Sequence, residues 1–171
     1  LAWDGQDRIQ PLVQEMEPCD AVVAEIAMRV WITGAAAACD HFEIGLNLVH
    51  GARPSFEYVL CLLGGQGINK TKGFLDLIPK ALSKYAKEGL TLNPKSKDSV
   101  KIVTSNWLVE LGELDATFRQ AQIAELKAFL STETDELRLP YAQGYSKFKR
   151  RPAFIGTVNH EKFLKDPTGN R

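Results

Sequence analysis

Histidine and cysteine are scarce in this chain, with three of each among 171 residues. Their positions exclude a structural zinc site: Cys39-Asp40-His41 has no second ligand pair at zinc spacing, and His50 and His160 stand alone. Cys19, Cys39 and Cys61 are odd in number and share no paired spacing, and Cys61 sits inside an apolar run as a small hydrophobe. A disulfide framework is therefore not expected, and a reducing, cytoplasmic compartment is. Long hydrophobic runs are lacking too: Val30 to Cys39 is half of the roughly 20 residues a membrane helix needs, so no membrane span is expected. The first residue is Leu, with no charged-then-apolar leader after it, so the sequence reads as a piece cut from a longer protein. No Ser nucleophile motif with a partnered His is present.

Net charge is also missing, since 21 basic residues balance 21 acidic ones. Taken whole, that zero argues against a strongly basic nucleic-acid binder. Along the chain it is a cancellation. Residues 1–69 carry three basic side chains against nine acidic, residues 70–136 carry ten of each, and residues 137–171 carry eight basic against two acidic. Such asymmetry points to an electrostatic partner for the basic end, although a run of charge is more often a solvated face.

What is present is ordinary globular material, 44% hydrophobic and 25% charged, in a length that suits one sizeable core. Residues 1–54 read as a helical lead-in and 55–171 as the main core. After a short helix within 1–20, a helix over 20–38 is predicted, with Asp20 as N-cap and Val22, Ile26, Val30 and Thr33 as one face, with Val23, Met28 and Trp31 alongside. Phe42 to Pro54 reads as a further short helix and a loop. Phe56 to Leu63 reads as a central parallel strand buried on both faces. Lys70 to Lys87 reads as an amphipathic helix divided by Pro79, and 88–99 as a polar loop. A short helix then precedes a second buried strand, Trp107 to Leu111. Thr117 to Ser131 is a helix, Leu137 to Arg151 two extended arms around Gly144, and Ala153 to Val158 a third buried strand. Strands alternating with helices make this an α/β protein with a mostly parallel sheet.

Directly after the first strand stands Gly64-Gly65-Gln66-Gly67-Ile68-Asn69-Lys70-Thr71. A phosphate-binding loop is Gly, four residues, Gly, Lys, then Ser or Thr, between a strand and a helix. Small residues let backbone N–H groups wrap a phosphate, the Lys reaches the outer phosphates, the hydroxyl ligates Mg²⁺, and the helix start favours the anion. Only Asn69 departs, replacing the last Gly. If that position needs a positive φ, Asn is the best substitute; if any Cβ clashes there, binding weakens. A Gly-rich turn in some other α/β fold fits the pattern as well.

Two further strand ends bear on the choice. The second strand ends in Glu110, with Glu113 and Asp115 just beyond, where one carboxylate can hold Mg²⁺ and another can orient and deprotonate an attacking water. The third ends in Asn159, whose amide can hold the same water. Open α/β sheets bind ligands at this carboxyl edge. Three strands delivering Lys, Glu and Asn to one edge favour the phosphate loop over a chance turn.

Together these motifs resemble the virulence-associated protein E family, P-loop ATPases of phages and mobile elements related to superfamily-three helicases and primase-helicases. The resemblance spans nearly the whole chain: Trp3-Asp4-Gly5 with Arg8-Ile9, Gly64 to Thr71, Trp107 to Asp115, Lys127 to Leu130, Arg138 with Pro140-Tyr141, Phe154 to Thr157 with Asn159, and Asp166 with Thr168 to Arg171. It implies a P-loop NTPase (RecA/AAA+-like) three-layer α/β/α core, truncated before its last strand and so left with an unpaired sheet edge. Gly64 to Thr71 then resembles Walker A, Glu110 to Glu113 the Walker B region and Asn159 the sensor. Arg171 resembles the arginine that reaches a neighbouring subunit's phosphate. Thr71 and Glu110 are the metal candidates; the sequence leaves open which of Glu110 and Glu113 takes the metal. The implied activity is Mg²⁺-dependent ATP hydrolysis by a helicase-type motor or primase-helicase component, assembled as a ring. A nucleotide-binding regulatory module with little turnover is the alternative, motivated by Asn69. A P-loop small-molecule kinase fits less well, because the acidic pair and strand-end Asn suit activation of water.

In superfamily-three helicases a hairpin ahead of the sensor strand tracks one DNA strand. Leu137 to Arg151 occupies that place and carries Lys147, Lys149, Arg150 and Arg151, with Tyr141, Tyr145 and Phe148 interleaved. Cations for phosphates and aromatics for bases are what single-strand binding uses, so single-stranded or forked DNA is the expected partner. A solubilising exposed hairpin is the bland reading of the same segment.

Overall fold

The computed structural model describes residues 4–43, 58–112, 114 and 120–159. Asp7 accepts hydrogen bonds from the backbone N–H groups of Ile9 (2.9 Å) and Gln10 (3.4 Å) and starts α1, Ile9–Glu15. Asp20 does the same for Val22 and Val23, both at 3.0 Å, and opens α2, Ala21–Glu43, as its N-cap. Arg29 pairs with Asp7 and Glu25, linking the two helices. Its guanidinium holds the Asp7 carboxyl below the ordinary carboxylate range. This link therefore stabilises the fold above the unfolded carboxylate's pKa and is lost as pH falls through the lowered folded one.

The face that α2 buries is only in part the expected one, since Met28 and Trp31 are buried but the valine–isoleucine stripe is not. Ala24, Met28, Trp31, Ala35 and Ala38 turn inward, whereas Val22, Ile26 and Val30 are exposed by 55 to 69%. Small residues and two indoles decide this. Ala35 and Ala38 let the helix lie close to the sheet, the Trp31 indole N–H donates to Phe154 O at 2.7 Å, and Trp107 donates to Ala35 O at 2.8 Å. The helix also continues past residue 38 to Glu43, through the start of the expected second helix, whose remainder lies outside the described residues. By length and composition, Ala21–Ala38 is apolar enough to cross a membrane, with mean hydropathy 1.5. The count of uninterrupted apolar residues missed this because Glu25 and Arg29 break the run. Here the helix packs one side on the sheet and leaves the other exposed.

The sheet consists of β1 (Val59–Leu63), β2 (Ala86–Leu90), β3 (Leu108–Leu111) and β6 (Ala153–Val158), in the order β1-β6-β3-β2, every pair parallel. Helix α3 (Lys70–Leu75) and a 3₁₀ turn (Lys80–Tyr85) connect β1 to β2, and α4 (Lys97–Ser105) connects β2 to β3. Helix α5 (Gln120–Leu130) and an antiparallel hairpin, β4 (Thr134–Leu137) and β5 (Ser146–Lys149), lie between β3 and β6. Period-two alternation splits the core into two. Leu108, Ala153 and Ile155 meet Val13, Met28, Trp31 and Phe74 on one face; Val109, Leu111, Phe154 and Val158 meet Val103 and Phe129 on the other. The α/β class, the parallel sheet and the helical lead-in are thus observed.

Several boundaries differ from expectation. The helical segment expected to divide at Pro79 does so, α3 ending at Leu75 and the 3₁₀ turn following Pro79, but Ala86–Leu90 is a strand where a helix end and polar loop were expected. As the outermost strand beside β3, β2 is half-solvated, so it carries no hydrophobic run. Strand β1 is also outermost among the described residues, pairing only with β6, and its side chains are partly rather than fully buried. The hairpin's first arm is Thr134–Leu137, ending where it was expected to begin.

Gly156 is central in β6, and a Cβ there would sit 1.8 Å from Leu114 Cδ1 and 3.0 Å from its Cγ. Leu114 is itself buried. Gly156→Ala should therefore cost about 1–3 kcal/mol by overpacking, read as a lower denaturation midpoint in urea. Burial also pushes the Cys61 thiol up to about 11, whereas Cys19 is exposed. At mildly alkaline pH, iodoacetamide should label Cys19 and spare Cys61 in the folded protein, while unfolding should equalise them.

Candidate functional site

Where β1 ends, the chain makes a tight turn before α3. Gly64 N donates to Val158 O at 3.2 Å, holding the turn against β6. A Cβ on Gly64 would come within 2.8 Å of Ile68 Cδ1, so the loop closes over a position with no side chain. Gly67 has φ +85° and Asn69 has φ +55°, ψ +33°, both in the left-handed region. Asn69 thus occupies the conformation that Gly adopts freely and Asn tolerates best among other residues. Lys70 then opens α3.

Two residues of α3 reach across the sheet's carboxyl edge. The Lys70 ammonium donates to Gly64 O (2.7 Å), Gly65 O (2.8 Å) and Asn159 Oδ1 (3.2 Å), joining the loop to the residue after β6. The Thr71 hydroxyl donates to Glu110 Oε1 at 2.6 Å, and the backbone N–H of Gly89 donates to Glu110 Oε2 at 3.0 Å. Glu110 is only 6% exposed, and these two bonds give a partner to each oxygen of a carboxylate that burial alone would penalise. Gly112 lets β3 approach β2: a Cβ there would meet Gly89 Cα at 3.2 Å.

The structure therefore brings Lys70, Thr71, Glu110 and Asn159 together from three strand ends. An open cavity of about 690 Å³ lies beside them, lined by Gln66 to Lys72, Asp76, Glu88, Thr157 and Asn159. Glu88 was not singled out in the sequence, and Thr157 entered only as part of the Phe154 to Thr157 motif. Thr157 stands in β6 two residues before Asn159, which follows the strand, a legible signal; Glu88 lies in the strand that read as loop. Thr71 and Glu110 offer two hard oxygen ligands, and no group of three His, Cys, Asp or Glu converges among the described residues. That set suits Mg²⁺, which keeps several waters or substrate oxygens, better than a metal needing an all-protein cage. Glu113, Asp115 and Arg171 lie outside the described residues.

The basic segment is divided. Lys147 and Lys149 are exposed on β5, with Lys147 3.3 Å from Glu136 across the hairpin. Arg150 is different. Its side chain is 8% exposed, pairs with Asp135 through Nε and Nη2, donates to Phe129 O, and stacks over the Phe129 ring at 3.7 Å. It fastens the hairpin to α5 and is not a surface cation; its bonds to Asp135 and Phe129 O offset the cost of taking the charge out of water.

The chain is an α/β domain whose parallel sheet gathers a glycine turn, a lysine, a hydroxyl and a carboxylate at its carboxyl edge, the edge at which open α/β sheets bind ligands. The Virulence-associated protein E-like domain family model matches residues 1–171, and the chain belongs to this family. Comparison with curated proteins finds no match.

Because Asn69 is left-handed, Asn69→Gly should leave urea stability within about 0.5 kcal/mol of the parent, whereas Asn69→Val should lose about 1–2 kcal/mol. Equal stability of the two variants would show that the turn does not hold this conformation in solution.

Proposed function

We propose that this domain binds ATP with Mg²⁺ and hydrolyses it, as the helicase-type motor or primase-helicase component of phage or mobile-element replication. The observation that carries this reading is the convergence of Lys70, the Thr71–Glu110 pair and Asn159 at one sheet edge. The reaction is attack of water on the γ-phosphorus, with the bond to the β,γ-bridging oxygen breaking to give ADP and phosphate. Lys70, now bonded to two loop carbonyls, is placed to exchange them for β- and γ-phosphate oxygens. Asn159 stands next to that ammonium and can orient the attacking water. The proton leaves to a carboxylate, for which Glu110 and Glu113 are the sequence candidates; with Glu110 bonded to Thr71 and taken as the metal ligand, the role of base falls to Glu113. Mg²⁺, held by Thr71 and Glu110, would neutralise charge developing on the phosphate oxygens.

The left-handed turn at Asn69 supports hydrolysis over a regulatory module without turnover, since the one departure from the loop pattern keeps the geometry Gly provides. Single-stranded or forked DNA is the proposed partner, contacting the hairpin through Lys147, Lys149 and Arg151. Ring assembly, with Arg171 reaching the neighbour's nucleotide, and a cytoplasmic location complete the reading. In the protein carrying this domain, Lys70→Ala should lower Mg²⁺-dependent ATP hydrolysis at least about a hundredfold and weaken nucleotide binding. Hydrolysis at the parent rate in that variant would refute the proposal.

A further inference from the structure

A second cavity, of about 390 Å³, lies at the opposite edge of the sheet from the phosphate loop. Tyr85 and Trp107 immediately precede β2 and β3, and Arg151 lies just before β6; because the strands are parallel, all three stand at the amino edge. From β5 come Lys147, Phe148 and Lys149. Three aromatic rings and three cations thus line one concavity, and no Asp or Glu is among its lining residues. On the facing arm of the hairpin, Glu136 pairs with Lys147. The aromatic wall is held in place: Trp107 donates its indole N–H to Ala35 O and its backbone N–H to Tyr85 O, each at 2.8 Å.

Rings flanked by cations in a concave site suit a planar aromatic group joined to an anion, and the volume falls within the ordinary range for small-ligand sites. Both features describe a nucleotide unit. Along the hairpin beyond the cavity, Tyr145 is 69% exposed and Tyr141 fully exposed. These offer further stacking surfaces, which a chain of nucleotides uses and a free one does not. We propose that this cavity seats one nucleotide of a single DNA strand, its base against Trp107 and Phe148 and its phosphate on Lys149 and Arg151. The proposal rests on the DNA reading above and adds to it an anchoring pocket beneath the hairpin.

The test is fluorescence anisotropy of a labelled oligo-dT over a salt series, with thermal melts of each variant. Lys149→Glu should weaken binding about tenfold and flatten the salt slope by roughly 0.7 for each phosphate no longer neutralised. Phe148→Ala, if its melt matches the parent's, should weaken binding roughly five- to hundredfold. Lys149→Glu lies on the surface and keeps the test decisive if Phe148→Ala unfolds. Unchanged affinity in Lys149→Glu and Phe148→Ala, with weakening only in Tyr141→Ala or Tyr145→Ala, overturns the pocket while leaving DNA binding by the hairpin intact. No oligo-dT binding by the parent refutes both. Binding of dTMP as tight as that of oligo-dT overturns the strand and assigns the pocket to a free nucleotide.

Discussion

The carboxylate of Glu110 is buried in the middle of the fold, and the arrangement around it depends on how its charge is compensated. An ionised group in such a place costs several kcal/mol unless both oxygens find donors. One donor is the Thr71 hydroxyl at the start of α3; the other is the backbone N–H of Gly89 in β2. The first ties the glycine turn to β3, and the second ties the sheet's outer strand to the same atom pair. A Cβ on Gly112 would crowd the backbone of Gly89, so the approach that allows this bonding is itself a matter of an absent side chain.

Compensated charge also sorts the basic segment. Four cations lie within five residues of sequence, yet their environments diverge. Arg150 is fastened to Asp135 and the Phe129 ring and holds the hairpin to α5. Its neighbours Lys147 and Lys149 project to the surface, and Arg151 turns toward the amino edge of the sheet with them. One residue of the charge run is structural and the other three border the aromatic cavity, so the proposed DNA contact narrows to that edge.

Legibility in the sequence followed burial. Strands β3 and β6 are covered on both faces, and each read as a largely apolar run, broken only by Glu110 in one and Gly156-Thr157 in the other, at close to its observed length. The glycine turn was legible because its chemistry is local: a strand, a positive-φ turn and a lysine follow one another directly. Strand β2 was not, because an outer strand with one solvated side needs no apolar signature. The inward face of α2 was legible only in part: Met28 and Trp31 stood beside the expected stripe, whereas the valines and isoleucine lie on the outer side and the alanines on the inner. Hydrophobicity alone chooses the valine side; closeness of approach to the sheet chose the other.

By itself the sequence determined the α/β class, the parallel strands β3 and β6, the cap at Asp20, and the meeting of Lys70, Glu110 and Asn159 at the carboxyl edge, while leaving the conformation at Asn69 open. Each of these is written in short-range chemistry or in the period of apolar residues. Only the tertiary structure decided that Glu110 serves Thr71 and Gly89 together, that Arg150 is interior, and that Tyr85, Trp107 and Phe148 share one cavity with three cations. Those outcomes join residues far apart in the chain, and which of them meet is set by strand order and by what each buried charge requires, neither of which any local pattern encodes.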